Sequence, residues 1–120
     1  MSAEYASGLG YGYYIKQDDM EEYIYNYFND NDFHYCDLSY ELEKIGCEDW
    51  LFSLNSWTED DGYFFGIPLV WSDGVGITSL STISMITPSE EHLKKLEEIK
   101  EKFFPNLSKK PELMLYTQCY

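Results

Sequence analysis

Residues 9–28 read LGYGYYIKQDDMEEYIYNYF, and the spacing of the apolar side chains changes inside that stretch. Leu9 to Lys16 reads as an extended strand with its glycines on one side. Beyond Lys16, Met20, Ile24, Tyr27 and Phe28 recur at helical spacing. Asp18 suits a helix cap, and Glu21 three residues later completes a capping box. The helix is expected to end near Asn29 to Asp32, an NDND run that favours turns. The chain therefore opens β-α.

Working outward, Leu38, Leu42 and Ile45 predict a short second helix over 38–45, with Gly46 at its C-terminal end. Trp50 to Trp57 and Tyr63 to Trp71 read as a strand pair, joined by a turn over Thr58 to Gly62. Pro68 cannot donate to a sheet ladder, so it predicts an edge or a bulge. Ser72, Asp73 and Gly74 read as another turn, and residues 75–83 as a weaker strand. Thr87, Pro88, Ser89 and Glu90 predict a helix start, with Thr87 as cap and Pro88 in the first helical position. That helix runs to Phe104, where Pro105 stops it, and buries Leu93, Leu96, Ile99, Phe103 and Phe104. Glu90–Lys94, Glu91–Lys95 and Glu98–Lys102 stand at ion-pair spacing along it. Residues 112–120 read as the last strand.

The order predicts an α+β fold: a mainly antiparallel sheet of four to five strands with two main helices on one face. A split β-α-β, ferredoxin-like arrangement fits it best. Residues 1–8 are expected to be loose and 9–120 to form a single domain, an ordinary size for 120 residues.

Charge narrows the range of partners. The net charge is -14, and residues 18–73 hold fifteen Asp and Glu against Lys44 alone. Six of the eight lysines lie in 94–110, and arginine is absent. Gripping phosphates takes clustered Lys and Arg, and base readout leans on Arg, so direct binding of DNA or RNA is excluded. Anionic membranes are disfavoured for the same reason. The first ten residues have neither a basic segment nor an apolar core, so no secretory signal is expected. The apolar run from Tyr63 to Trp71 is too short to span a bilayer. Three cysteines do not make a disulfide framework, and a cytoplasmic protein is expected.

No catalytic or cofactor pattern emerges. Gly8, Gly10 and Gly12 open the chain and lead into a strand, whereas a phosphate loop needs a strand before its glycines and a helix after them. His34 and Cys36, two apart, would share one face of a strand, with Asp37 and Cys47 nearby in sequence. The paired cysteine spacing of a zinc site is missing, as is a third group to orient the histidine for nucleophilic catalysis. His92 falls at the edge of a buried stripe and is expected to be structural. The carboxylate runs lack the glycine and closing glutamate of a calcium loop. No metal, no cofactor and no enzymatic activity are expected.

The acids and tyrosines coincide. Nine of the 12 tyrosines lie between Tyr5 and Tyr40. On the first helix Asp18, Asp19, Glu21, Glu22 and Tyr25 lie off the apolar stripe; Asp30 and Asp32 follow it, and Asp60 and Asp61 stand in the next acidic run. Carboxylates attract a basic protein over distance, and a tyrosine among them offers area and a cation–π face. These nine residues are the expected partner-binding set. Phe, Tyr, Ile, Asn and Lys, all with A/T-rich codons, number 40, whereas Gly, Ala, Arg and Pro number 14.

In size, acidity and codon flavour the chain resembles the small inhibitors that phages use against bacterial defences, anti-restriction and anti-CRISPR proteins among them. The resemblance is to the class as a whole. It rests on no motif and transfers no residue. It implies a DNA mimic in the bacterial cytosol that occupies the groove of a basic nucleic-acid-binding protein or nuclease. Two alternatives stand beside it. One is an immunity protein or antitoxin against a basic nuclease toxin. The other is a small-ligand module using Trp50, Trp57, Trp71, Phe64 and Phe65.

Overall fold

A computed structural model describes residues 5–54, 62–73 and 88–119. Strand β1 (Tyr5–Lys16) runs directly into helix α1 (Gln17–Phe28). Helix α2 (Tyr35–Lys44) and a single 3-10 turn at Glu48–Trp50 lead to β2 (Leu51–Leu54). Then come β3 (Gly62–Asp73), helix α3 (Glu90–Phe103) and β4 (Glu112–Cys119).

The four strands form one sheet in the order β2-β3-β1-β4, with every neighbouring pair antiparallel. Each helical connection therefore skips one strand, which is the split β-α-β order of an α+β fold.

Strand alternation puts Tyr13, Ile15, Tyr63, Phe65 and Ile67 on the face that meets the helices, all buried. Met20 and Ile24 of α1, Leu38 and Leu42 of α2, and Leu96, Ile99 and Phe103 of α3 close over them. Aromatic rings dominate the joints. Phe104 lies 4.8 Å from Phe65 and 5.1 Å from Tyr23, and Tyr27 lies 4.6 Å from Phe103. No helix among the described residues is long and apolar enough to cross a membrane.

The other face of the sheet is rolled. β2 and β4 stand at opposite ends of the strand order, yet they approach one another, and Phe52 reaches Tyr116 at 5.2 Å. Phe64 stacks on Tyr116 at 4.4 Å. The glycines of β1 make room for these rings. A Cβ at Gly10 would fall 2.5 Å from Phe64 Cζ, and one at Gly8 2.5 Å from the Tyr116 ring. Gly12 and Gly66 face each other in register, and a Cβ on either would meet backbone of the other strand. Pro68 pairs with Gly10 beside an irregularity that leaves Leu69 as an extra residue, so the missing N–H falls at a bulge.

Several boundaries differ from the sequence expectation. β1 begins at Tyr5, because Tyr5 pairs with β4 and residues 6–8 are held between β3 and β4. Helix α1 has Lys16 at its cap position with no side-chain bond, since the strand passes straight into the first turn. Asp18 and Asp19 lie inside that turn and act on the helix dipole instead. Helix α2 starts three residues early because the Asp37 carboxylate accepts from the His34 N–H at 2.8 Å. Gly46 takes a left-handed φ of 74° just beyond that helix. Trp50 belongs to the 3-10 turn, Gly62 opens β3, and β3 continues through Ser72 and Asp73.

Ser89, rather than Thr87, caps α3 by accepting from the His92 N–H at 3.2 Å, so Pro88 precedes the helix. Leu93 is exposed. None of the three expected ion pairs of α3 forms: Lys100 pairs with Glu97 and Glu101, and Lys95 donates to the Ile45 carbonyl. The expected turn over 58–61, the weaker strand over 75–83, Gly74 and Thr87 lie outside the described residues.

Candidate functional site

Helix α1 buries Met20 and Ile24 against the sheet and packs Tyr23 on Phe104, which leaves its other face to solvent. Asp18, Asp19, Glu21 and Glu22 are exposed there, and Tyr25 is 44% exposed. The helix ends where Asn29 takes a left-handed φ of 55° and donates its N–H to the Tyr25 carbonyl at 2.6 Å. The chain then folds back alongside the helix. The Asp30 carboxylate turns it by accepting from the Asp32 N–H at 2.9 Å. Phe33 stacks on Phe28 at 4.3 Å with nearly parallel rings. Tyr35, entering α2, meets Tyr63 of the sheet at 5.1 Å.

This fold-back leaves a groove of about 340 Å³ between α1 and the 30–35 turn. Met20, Ile24 and Tyr63 line it from the core side, with Tyr25, Phe33 and Tyr35 beside them. Its polar groups are Gln17 and Glu21 from the helix and Asp30, Asn31 and His34 from the turn. Glu21 accepts from the Gln17 side chain at 3.1 Å, so both carboxylates are steadied by one bond within the chain. Burial, then the neighbouring Tyr63, raises the Tyr35 hydroxyl above its usual range, and a bond with Ser53 backbone partly offsets this. On the opposite flank of α1, burial and then Asp19 and Glu22 raise Tyr23.

The groove gathers three of the expected binding residues: Glu21, Tyr25 and Asp30. Asp18, Asp19, Glu22 and Asp32 are exposed but do not line it. Asp60 and Asp61 lie outside the described residues. Nothing in the sequence marks Phe33, Tyr35 and Tyr63 for this site, although Phe33 and Tyr35 follow closely on the NDND turn.

The stretch that carries the groove is rich in acid. Residues 18–49 contain eleven Asp and Glu and one lysine, Lys44. Lys44 is held by Glu41 at 3.1 Å and lies over the Tyr40 ring. Of the lysines beyond that stretch, Lys95 donates to the Ile45 carbonyl at the end of α2, Lys100 pairs with Glu97 and Glu101 on α3, and Lys109 donates to the Tyr14 carbonyl. No charged side chain among the described residues is buried.

The remaining nominations separate. His34 stands at the start of α2 and Cys36 is the second residue of that helix, so they do not share a strand face; Cys47 is buried. Among the described residues no three His, Cys, Asp or Glu side chains gather as a metal site. His92 lies edge-on to Trp50 at 5.7 Å. Phe64 and Phe65 fall on opposite faces of the sheet and cannot line one pocket; Trp50 is buried, and Trp57 lies outside the described residues. A different cavity, of about 380 Å³, opens at the β2 edge beside Leu51, Phe52, Pro68 and Tyr116, with Glu48 and Asp49 also lining it.

Compared with protein families, with curated proteins and with solved structures, the chain matches none of them.

Proposed function

We propose that this protein is a non-enzymatic acidic binding protein that inhibits a basic nucleic-acid-handling protein, in the manner of phage anti-defence inhibitors, by occupying that partner's nucleic-acid groove. The observation that carries the reading is the exposed acid of residues 18–49, answered within that stretch by Lys44 alone. Exposed carboxylates on α1, α2 and the turns beside them attract a basic surface and speed the encounter. Tyr25 and Tyr40, 44% and 59% exposed, add contact area among the acids.

The test is capture from a low-GC bacterial lysate, with elution first by stepped salt and then by duplex DNA. The reading predicts a basic nucleic-acid-binding protein that DNA releases. A captured protein that DNA leaves in place, or no capture at low salt, contradicts it. The cavity beside Phe52 and Tyr116 favours a second reading, a small-ligand module. Native mass spectrometry of the purified protein would then show a retained mass.

A further inference from the structure

We propose that the groove between α1 and the 30–35 turn receives an arginine side chain of the basic partner. This rests on the reading above and names the contact at its centre.

The groove's size limits what it takes. About 340 Å³ is at the small end of cavities that hold ligands, about 300–1,000 Å³, which suits a side chain and excludes an inserted helix. Its charge decides the sign. Glu21 and Asp30 contribute carboxylates from two different elements, and no lysine is among the described residues that line it. Its walls decide between the two basic side chains. Tyr25 and Phe33 offer aromatic faces, and Phe33 is fixed in place by its stack on Phe28.

A lysine ammonium is a compact, strongly hydrated charge that loses its water at high cost against such walls. A guanidinium is flat and weakly hydrated. It lies against aromatic rings while its edge donates to carboxylates. The internal bonds from Gln17 to Glu21 and from the Asp32 N–H to Asp30 orient both carboxylates before a partner arrives.

The test uses hexa-arginine and hexa-lysine peptides titrated into the full chain at low salt, read by calorimetry and by chemical shifts. Glu21→Gln with Tyr25→Ala perturbs the groove. Glu43→Gln with Tyr40→Ala makes the same changes at exposed positions of α2 outside it. The expected result is about tenfold tighter binding of hexa-arginine, because both peptides bring a positive charge to the carboxylates but only a guanidinium also lies flat against the rings and donates along its edge. Shifts should centre on Tyr25, Phe33 and Tyr35. The groove variant should bring the two peptides level, and the α2 variant should preserve the difference. Unchanged melting curves for both variants would show that the fold is intact, since all four side chains are exposed or on helix surfaces. Equal binding of the two peptides, or equal loss in the two variants, overturns the arginine site while leaving a basic partner attracted by charge in place. No binding of either peptide also overturns it, and lysate capture still decides the broader reading separately.

Discussion

Gly12→Ala isolates the feature that shapes the sheet. Gly12 and Gly66 are opposed on the two central strands, β1 and β3. A Cβ at Gly12 would overlap the carbonyl oxygen of Phe65 and fall 2.5 Å from the Gly66 Cα. Both obstacles are backbone, so no rotamer change relieves them, and the strands must separate. Overpacking a well-filled interior costs about 1–3 kcal/mol, and a backbone obstacle belongs at the upper end, about 3 kcal/mol.

Gly46→Ala is the control. Its φ of 74° disfavours a side chain, but nothing lies within 4 Å of the added carbon. That leaves the left-handed penalty alone, about 1 kcal/mol. For a chain of this length each kcal/mol moves the melting midpoint by roughly 4 °C, so the two variants should fall by about 12 °C and about 4 °C. Circular dichroism melts and urea midpoints read both. Once the strands are parted, a second alanine at Gly66 meets less resistance, so the double variant should lose less than the sum of the singles. A Gly12→Ala midpoint within about 4 °C of the native one would refute the close strand approach.

Other outcomes follow from the same contacts. Phe65→Ala removes a fully buried ring packed on Tyr13 and Phe104 and should cost about 3–5 kcal/mol in urea denaturation. Ser89→Ala removes the α3 cap and should cost about 1 kcal/mol, whereas Ser89→Asp should retain the cap. Tyr13 has its pKa raised above the ordinary 10.0 by burial first and then by Glu97, Tyr11 and Glu101, and burial likewise raises Tyr116. The folded state therefore holds these protons more tightly than the unfolded state. Stability from this source is intact below about pH 10 and falls as pH rises beyond it, and Tyr13→Phe should flatten that fall in melts from about pH 9 to 11.5.

The order of elements was legible because the period changes sharply at Lys16 and again at the Thr87–Glu90 signal. The boundaries shifted where two capping residues compete. Ser89 and Thr87 are both good caps by residue type, so the sequence offers two starts two residues apart, and the helix begins from Ser89. The rolled sheet was not legible. Gly12 reads as a strand glycine, and its meaning depends on meeting Gly66 from a strand distant in sequence. The groove was half legible. Charge and the Met20–Ile24 stripe marked Glu21 and Tyr25, but Asp30 joins them only because Phe33 folds back onto Phe28, a contact set by tertiary packing.

The proposed function requires the acidic surface around α1, and not net charge alone, to hold the partner. Capture from lysate should be compared between Glu21→Lys with Glu22→Lys and Glu91→Lys with Glu98→Lys. Both pairs change the charge equally, at exposed helix positions outside every ion pair among the described residues. The proposed function predicts that the α1 reversal abolishes capture of a DNA-releasable basic protein and that the α3 reversal retains it. Equal capture by the two variants, whether both lost or both kept, would contradict it.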